Sequence, residues 1–286
     1  MTTFPLTRAV PRHFRPRSGN PLFTAAIILA MVMVIAAAAA TLIAPYDPDF
    51  VDLGNVLSAP SPAHWLGTDA VGRDTLSRMM FGARTALLGP LLVVLLSTAL
   101  GIGFGLLAGW FGGWIDAVLC RVFDLLFAFP ALLLAILAVA IFGKGLTAPV
   151  AAMTIAYIPY VARLVRSLVV SERGRPYVTA YRVQGFAGCW IAVKRVLPNV
   201  MPTVGAQSTL NFGYVLADLA SLSFLGLGVQ PPAADWGAMI NDSRGALMSG
   251  QSLPALVPAI AVVLVVIAMN IIGENLSDRI GGRRQP

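Results

Sequence analysis

The sequence predicts an all-α integral membrane protein of about six transmembrane helices, and three observations carry that prediction. Of 286 residues, 57% are hydrophobic and only 12% charged, with a mean hydropathy of +0.79; a soluble domain carries about 25% charged residues. Stretches free of Asp, Glu, Lys and Arg run over 22–46, 85–115, 125–143 and 245–273, and runs of about 18 or more such residues are long enough to cross a bilayer as helices. The apolar residues are continuous instead of alternating with period two, which excludes a transmembrane β-barrel.

The elements follow in order. An N-terminal tail, 1–21, carries Arg8, Arg12, Arg15 and Arg17 ahead of a first span at 22–44 that ends in Ile43–Ala44–Pro45. No convincing small-residue cleavage site follows, so this span reads as an uncleaved anchor. Segment 45–83 holds Pro45, Pro48, Pro60 and Pro62, then a Gly67–Thr68–Asp69 turn signal. After it, Leu76, Met79, Met80 and Phe81 lie at helical spacing among Arg73, Asp74, Arg78 and Arg84, the pattern of an amphipathic helix on the outer membrane surface. The core, 84–276, contains spans at 85–109, 115–142, 147–169, 204–226 and 255–274, and a tail at 277–286 closes the chain. Between the fourth and fifth spans, segment 171–203 predicts a short helix from Pro176 to Gly188, with proline in the first turn and glycine near the end.

The net charge of +7 could mark a nucleic-acid binder, but its placement assigns it to orientation. With the N-terminus inside, the cytoplasmic segments hold four basic residues in 1–21, five in 171–203 (Arg173, Arg175, Arg182, Lys194, Arg195) and three in 275–286 (Arg279, Arg283, Arg284). The external segments hold Arg73, Arg78, Lys144 and Arg244. Twelve against four places both termini in the cytoplasm.

Several chemistries have no residues to support them. The one Gly-Lys pair, Gly143–Lys144, is followed by glycine and preceded by Ala138 where a P-loop needs its first glycine. His13 and His64 are isolated, Cys120 and Cys189 are the only cysteines, and no Gly-x-Ser-x-Gly or His-Glu-x-x-His occurs. The expectation is therefore no catalytic residue and no metal site. Gly101, Gly105 and Gly109 fall on one helix face, a pattern for close helix packing. Ionisable residues inside spans carry more information because they are costly there. Arg121 and Asp124, three apart beside Asp116, read as a structural ion pair. Asp218, deep in the fifth span, reads either as a translocation-path carboxylate able to meet a cationic group or as a structural hydrogen-bonding residue.

Four stretches bring a family into view: H-W-L-G-T-D-A-V-G-R-D-T-L-S-R (64–78), I-D-A-V-L-C-R-V-F-D-L-L-F-A-F-P (115–130), S-L-S-F-L-G-L-G-V-Q-P-P (221–232) with W-G-A-M-I-N-D (236–242), and Y-V-T-A-Y-R-V-Q-G-F (177–186) with R-V-L-P-N (195–199). From His64 to Ile280 the chain resembles the transmembrane permease subunits of dipeptide and oligopeptide ABC importers, most closely the subunit usually written second in such pairs. The last stretch has the spacing of the cytoplasmic EAA loop, with Thr179–Ala180–Tyr181 where the family usually has Glu-Ala-Ala, and with Gly185 and Leu197–Pro198 kept.

The resemblance implies the type I importer permease fold in a bacterial cytoplasmic (inner) membrane. It also implies that 176–188 is a coupling helix seated in a groove of an ATPase, with Arg175, Tyr177, Thr179, Ala180, Arg182, Gly185 and Phe186 as its contact surface. Partners implied are a second, homologous permease in a heterodimer, two cytoplasmic ATP-binding subunits that carry ATP and Mg, an extracytoplasmic substrate-binding protein, and membrane lipid. No cofactor is implied on this chain and no nucleic acid partner. The cargo expected is a dipeptide or short oligopeptide; nickel chelate, glutathione or another small solute is the alternative, since very similar permeases serve those. A gradient-driven secondary transporter would need broken helices holding coupling-ion ligands near the midplane, and Asp218 alone is a candidate there.

Overall fold

A computed structural model describes residues 21–282, with side chains to residue 280. The N-terminal tail with its four arginines, and Arg283 and Arg284, lie outside the described residues. The helices are α1 (Pro21–Ala38), α2 (Ala40–Ile43), α3 (Thr75–Phe111), α4 (Gly113–Phe127), α5 (Ala131–Phe142), α6 (Thr147–Arg173), α7 (Pro176–Val183), α8 (Gly188–Ile191), α9 (Leu197–Phe224), α10 (Trp236–Asp242), α11 (Arg244–Met248) and α12 (Leu253–Gly282). No strand occurs among the described residues.

Each boundary has a local cause. The break after α1 is held by Arg84, whose guanidinium donates to the carbonyls of Ala37 (2.6 Å) and Ala38 (3.1 Å), groups a helix end leaves unpaired. Asp74 caps α3 by accepting from the Ser77 amide at 2.8 Å, and Gly112, at φ +68°, ends it in a conformation that costs a residue with a Cβ. The third predicted span is broken: α4 and α5 meet at 79°, because Pro130 lacks an amide hydrogen and disfavours helical backbone at Phe129.

Four helices among the described residues, α1, α3, α6 and α12, are long and apolar enough to cross a membrane, and the α4–α5 pair makes a fifth if it counts as one bent span. The predicted fifth span lies within α9, which at 28 residues is long enough but is made more polar by Gln207, Ser208, Thr209, Asn211 and Asp218. The expected amphipathic surface helix is also corrected. Residues 75–84 are helical, but they continue without a break into the second span as one 37-residue helix. Thr75, Ser77 and Arg78 are buried against the outer loops, so the polar side of this stretch faces protein.

Packing gathers into two main cores and a small cluster of Phe123, Ile158 and Ala162 between α4 and α6. The larger core, toward the end predicted to be external, gathers Val93, Met153, Val215, Leu216, Leu222, Trp236 and Val265 from α3, α6, α9, α10 and α12. A second core, at the end predicted to be cytoplasmic, gathers Trp110, Val161, Val165, Val169, Val178, Ile191, Ala192 and Val196. The helices α3 and α6 join the two, and glycine makes their approach close. A Cβ added at Gly101 would sit 2.6 Å from Val161 Cβ, at Gly105 2.6 Å from the Ala162 carbonyl oxygen, and at Gly109 2.9 Å from that of Arg166. The small-residue face predicted on the second span is therefore the α3–α6 seam.

Candidate functional site

At the end that the basic excess predicts to be cytoplasmic, α7 is the expected short helix, but it stops at Val183 instead of reaching Gly188. Pro176 begins it, and Gly185, at φ +82°, turns the chain beyond its end. Val178 is the apolar anchor, fully buried in the cytoplasmic core. From Gly188 the chain is helical again, through a π-helical turn at Ala192–Val196, and runs straight into α9. The α7 helix thus sits at a junction of three long helices, α3, α6 and α9.

Polar contacts fix it there. Glu172, 3% exposed at the end of α6, accepts from the Tyr177 hydroxyl at 2.8 Å and pairs with Arg175 Nε at 3.0 Å. Asn199, in the first turn of α9, donates to the same Tyr177 oxygen at 3.2 Å. Burial, then the bond to Glu172, holds the Tyr177 hydroxyl above its ordinary pKa, so it remains a donor at neutral pH. Arg173 donates to the Trp110 carbonyl at 2.7 Å, capping the end of α3. Beyond α7, Phe186 stacks on Trp190 at 4.6 Å, Tyr181 meets both rings edge-on, and the Arg195 guanidinium lies over Tyr181 at 4.8 Å.

Of the seven residues expected at this surface, Arg175, Thr179, Ala180, Arg182, Gly185 and Phe186 are exposed. Tyr177 is half-buried and faces inward to Glu172. Val183, 84% exposed, is a large apolar side chain on this helix that the sequence reading passed over.

At the opposite end, two of the stretches quoted above form one unit. Arg73 pairs with Asp69 at 2.6 Å and with Asp242 at 3.3 Å. Arg78, 1% exposed, donates to the carbonyls of Pro48 (3.1 Å) and Pro232 (3.3 Å). Trp236 Nε1 donates to the Met79 carbonyl at 3.0 Å, and a Cβ at Gly237 would fall 2.3 Å from the Ala220 carbonyl oxygen. The segments 64–79 and 220–242 are therefore held together as one unit.

Between the two ends lie the ionisable groups of the spans. The Arg121–Asp124 pair does not form: Asp124 bonds to Arg163, and Asp116 to Arg166, both across to α6, while Arg121 is exposed. On α4, Arg121 and Asp124 are near in sequence, but α6 presents two arginines one turn apart to the carboxylate face, and those satisfy it. Asp218 accepts from the Tyr157 hydroxyl at 2.9 Å. No group of three or more His, Cys, Asp and Glu side chains among the described residues could hold a metal ion.

Residues 101–282 match the family of binding-protein-dependent transport system inner membrane components. The chain belongs to that family. It is an ABC importer permease, and its relatives agree over nearly its whole length. It is 37% identical over 255 residues to the glutathione transport system permease protein of Pectobacterium atrosepticum, covering 89% of this chain and 84% of the relative. It is 37% identical to the dipeptide transport system permease protein of Alkalihalophilus pseudofirmus (93% and 87% covered) and 38% identical to the nickel transport system permease protein of Escherichia coli (90% and 92% covered).

Within this permease, sequence reasoning missed Glu172, Trp110 and Trp190. Nothing in the sequence sets Glu172 apart; its burial beneath Tyr177 makes it the anchor of α7. Trp110 closes the cytoplasmic core from the end of α3 and carries the Arg182 guanidinium over its ring at 5.3 Å. The available signal was a cluster of tryptophan and tyrosine beside arginine, the composition of protein interfaces.

Proposed function

We propose that this permease imports dipeptides or short oligopeptides across a bacterial cytoplasmic membrane, with energy delivered by partner subunits. The observation that supports the reading best is the α7 surface, with Thr179, Ala180, Arg182, Val183 and Phe186 exposed on a helix whose other side is pinned to α3, α6 and α9. A helix held so firmly by one side and so bare on the other transmits force. Two ATP-binding subunits carry ATP and Mg and drive it, consistent with a chain that has no P-loop of its own. Closure of the ATPase pair moves α7; through Glu172, Tyr177 and Asn199, that motion reaches the ends of α6 and α9 together. The spans then alternate between outward and inward access as a two-state equilibrium biased by nucleotide. A second, homologous permease completes the path, an extracytoplasmic binding protein delivers cargo to the outer loops, and both termini face the cytoplasm.

A second cargo reading is supported by relatives at 37–38% identity whose names specify glutathione and nickel. The test is ATP hydrolysis by the complex reconstituted in lipid, with binding protein loaded in turn with dipeptide, longer peptide, glutathione or nickel chelate. Stimulation by dipeptide or longer peptide is the expected result; stimulation by nickel chelate or glutathione alone replaces the cargo. Coupling is tested separately by Gly185→Asp, expected to leave membrane insertion intact and abolish transport. An added Cβ at Gly185 meets nothing within 4 Å, so the lost function would come from the altered turn and a charge beside the docking surface. Undiminished uptake would mean that α7 is not the coupling element.

A further inference from the structure

On α9, Thr203, Gln207, Asn211, Tyr214, Asp218 and Ser221 follow one another at steps of four, four, three, four and three residues. Those steps keep all six on one helix face. At a rise of about 1.5 Å per residue the stripe is about 27 Å long, close to the thickness of a bilayer's hydrocarbon core, roughly 30 Å. A polar stripe of that length facing lipid would be costly at every turn, so it must face water or protein. The chain itself does not cover it fully: Tyr214 is 57% exposed, and Ser221 is exposed as well. At its middle Asn211, 4% exposed, has a side-chain nitrogen with no hydrogen-bond partner among the described residues.

The stripe meets an aromatic wall on α6. Tyr157 donates to Asp218 at 2.9 Å, and its ring lies 5.5 Å from that of Tyr160, which is 53% exposed. Tyr160 in turn packs edge-on against Phe127 at 4.7 Å, and the guanidinium of Arg163 lies 4.3 Å over the Phe127 ring. The wall therefore already holds one cation of the chain's own. Asp218 forms no ion pair among the described residues, and Tyr214 stands one turn below it on the same face. One carboxylate without a cation, bonded to one tyrosine hydroxyl and followed by further tyrosine rings on α6 and α9, fits an ammonium group: the carboxylate offers its charge, and aromatic faces along the same path attract a cation.

We propose that Asp218, Tyr157, Tyr160 and Tyr214 form a station on the translocation path that receives the α-ammonium group of the passing substrate. This rests on the reading that the permease carries peptides. Charge is what the station recognises, and the accessible part of the remaining stripe serves the peptide's own backbone groups as they move along α9.

The experiment uses the full complex with Cys120→Ser and Cys189→Ser in this subunit and a reporter at Ser221→Cys, one turn outward from the station. A membrane-impermeant maleimide is applied and its addition to this subunit is read by mass. Alanyl-alanine at millimolar concentration is expected to slow labelling about tenfold, while N-acetyl-alanyl-alanine leaves it within about twofold. Asp218→Asn is expected to abolish the protection, and Asp218→Glu to restore it. No labelling of the reporter, equal protection by both peptides, no protection, or protection that survives Asp218→Asn would each overturn the station. Peptide uptake by proteoliposomes of the parent complex separates the two readings: uptake without protection sinks the station alone, whereas absent uptake of any peptide sinks the cargo assignment beneath it.

Discussion

Gly105 illustrates how much one missing atom can decide. Its place on α3 would bring a Cβ 2.6 Å from the Ala162 carbonyl oxygen and 2.7 Å from Val165 Cβ, both on a helix that cannot retreat without opening the cytoplasmic core. Gly105→Ala is expected to destabilise the assembled permease by about 1–3 kcal/mol through overpacking. Gly103→Ala, two residues away with nothing within 4 Å, is expected to be neutral or slightly stabilising. Thermal unfolding of the two variants in detergent checks this, and equal melting temperatures would sink it. Glu172 is the corresponding polar case. Its bond from Tyr177 is charge-assisted and buried, worth about 1.5–3 kcal/mol, whereas Arg175 is half exposed and contributes little. Glu172→Ala is therefore expected to lower peptide uptake per ATP hydrolysed about tenfold, and Glu172→Gln, which still accepts from Tyr177, by far less. Coupling ratios that are the same in both variants would show that the bond is not what holds α7.

At the scale of elements, the outer end works as a clasp: the stretch 64–78 that opens α3 and the stretch around α10 exchange ion pairs and carbonyl bonds, with Trp236 buried between them. Asp235 begins α10 by accepting from the Ala238 amide at 3.2 Å while only 5% exposed. Burial pushes its carboxyl above the ordinary range, against the hydrogen bonds from Ala238, Ser223 and Thr85. A carboxyl raised in the folded state contributes stability that is complete below its unfolded value, about 3.9, and is lost as pH rises through the folded value. The contribution of Asp235 to the clasp should thus fall as pH rises above about 3.9, the opposite of the trend from the Arg73 ion pairs. Asp235→Asn, an equally good cap, is expected to flatten that dependence and to raise the melting temperature at neutral pH, by about 2–4 °C for each kcal/mol recovered. Melting curves between pH 4 and pH 8 decide it; an unchanged slope in the variant would remove Asp235 as the cause.

Over the whole molecule, α1 and α12 lie side by side, and the Arg279 guanidinium near the end of α12 sits 4.8 Å over Phe23 at the start of α1. The two helices are therefore antiparallel, and the chain's described ends share one side. The basic excess predicts that this side is the cytoplasmic one. Cys189, exposed beside the Phe186–Trp190 stack, tests the assignment with a native residue. An impermeant thiol reagent is expected to label it in inside-out vesicles and not in right-side-out ones, and to do so more slowly once ATPase subunits are bound. The opposite sidedness would invert the topology.

The sequence alone determined that the chain is helical and membrane-embedded, where its first, second, fourth and sixth spans lie, which glycine face packs, and where the short helix α7 begins. Those features depend on composition and on spacings within one element, and such local regularities survive in a linear string. Tertiary structure decided what depends on neighbours distant in the chain: that Asp124 bonds to Arg163 and leaves Arg121 free of it, that Glu172 anchors α7, that the outer stretch 75–84 buries its polar side instead of resting on lipid, and that the third span breaks at Pro130. A charge takes the partner that folding brings to it, and in this permease that partner is on another helix.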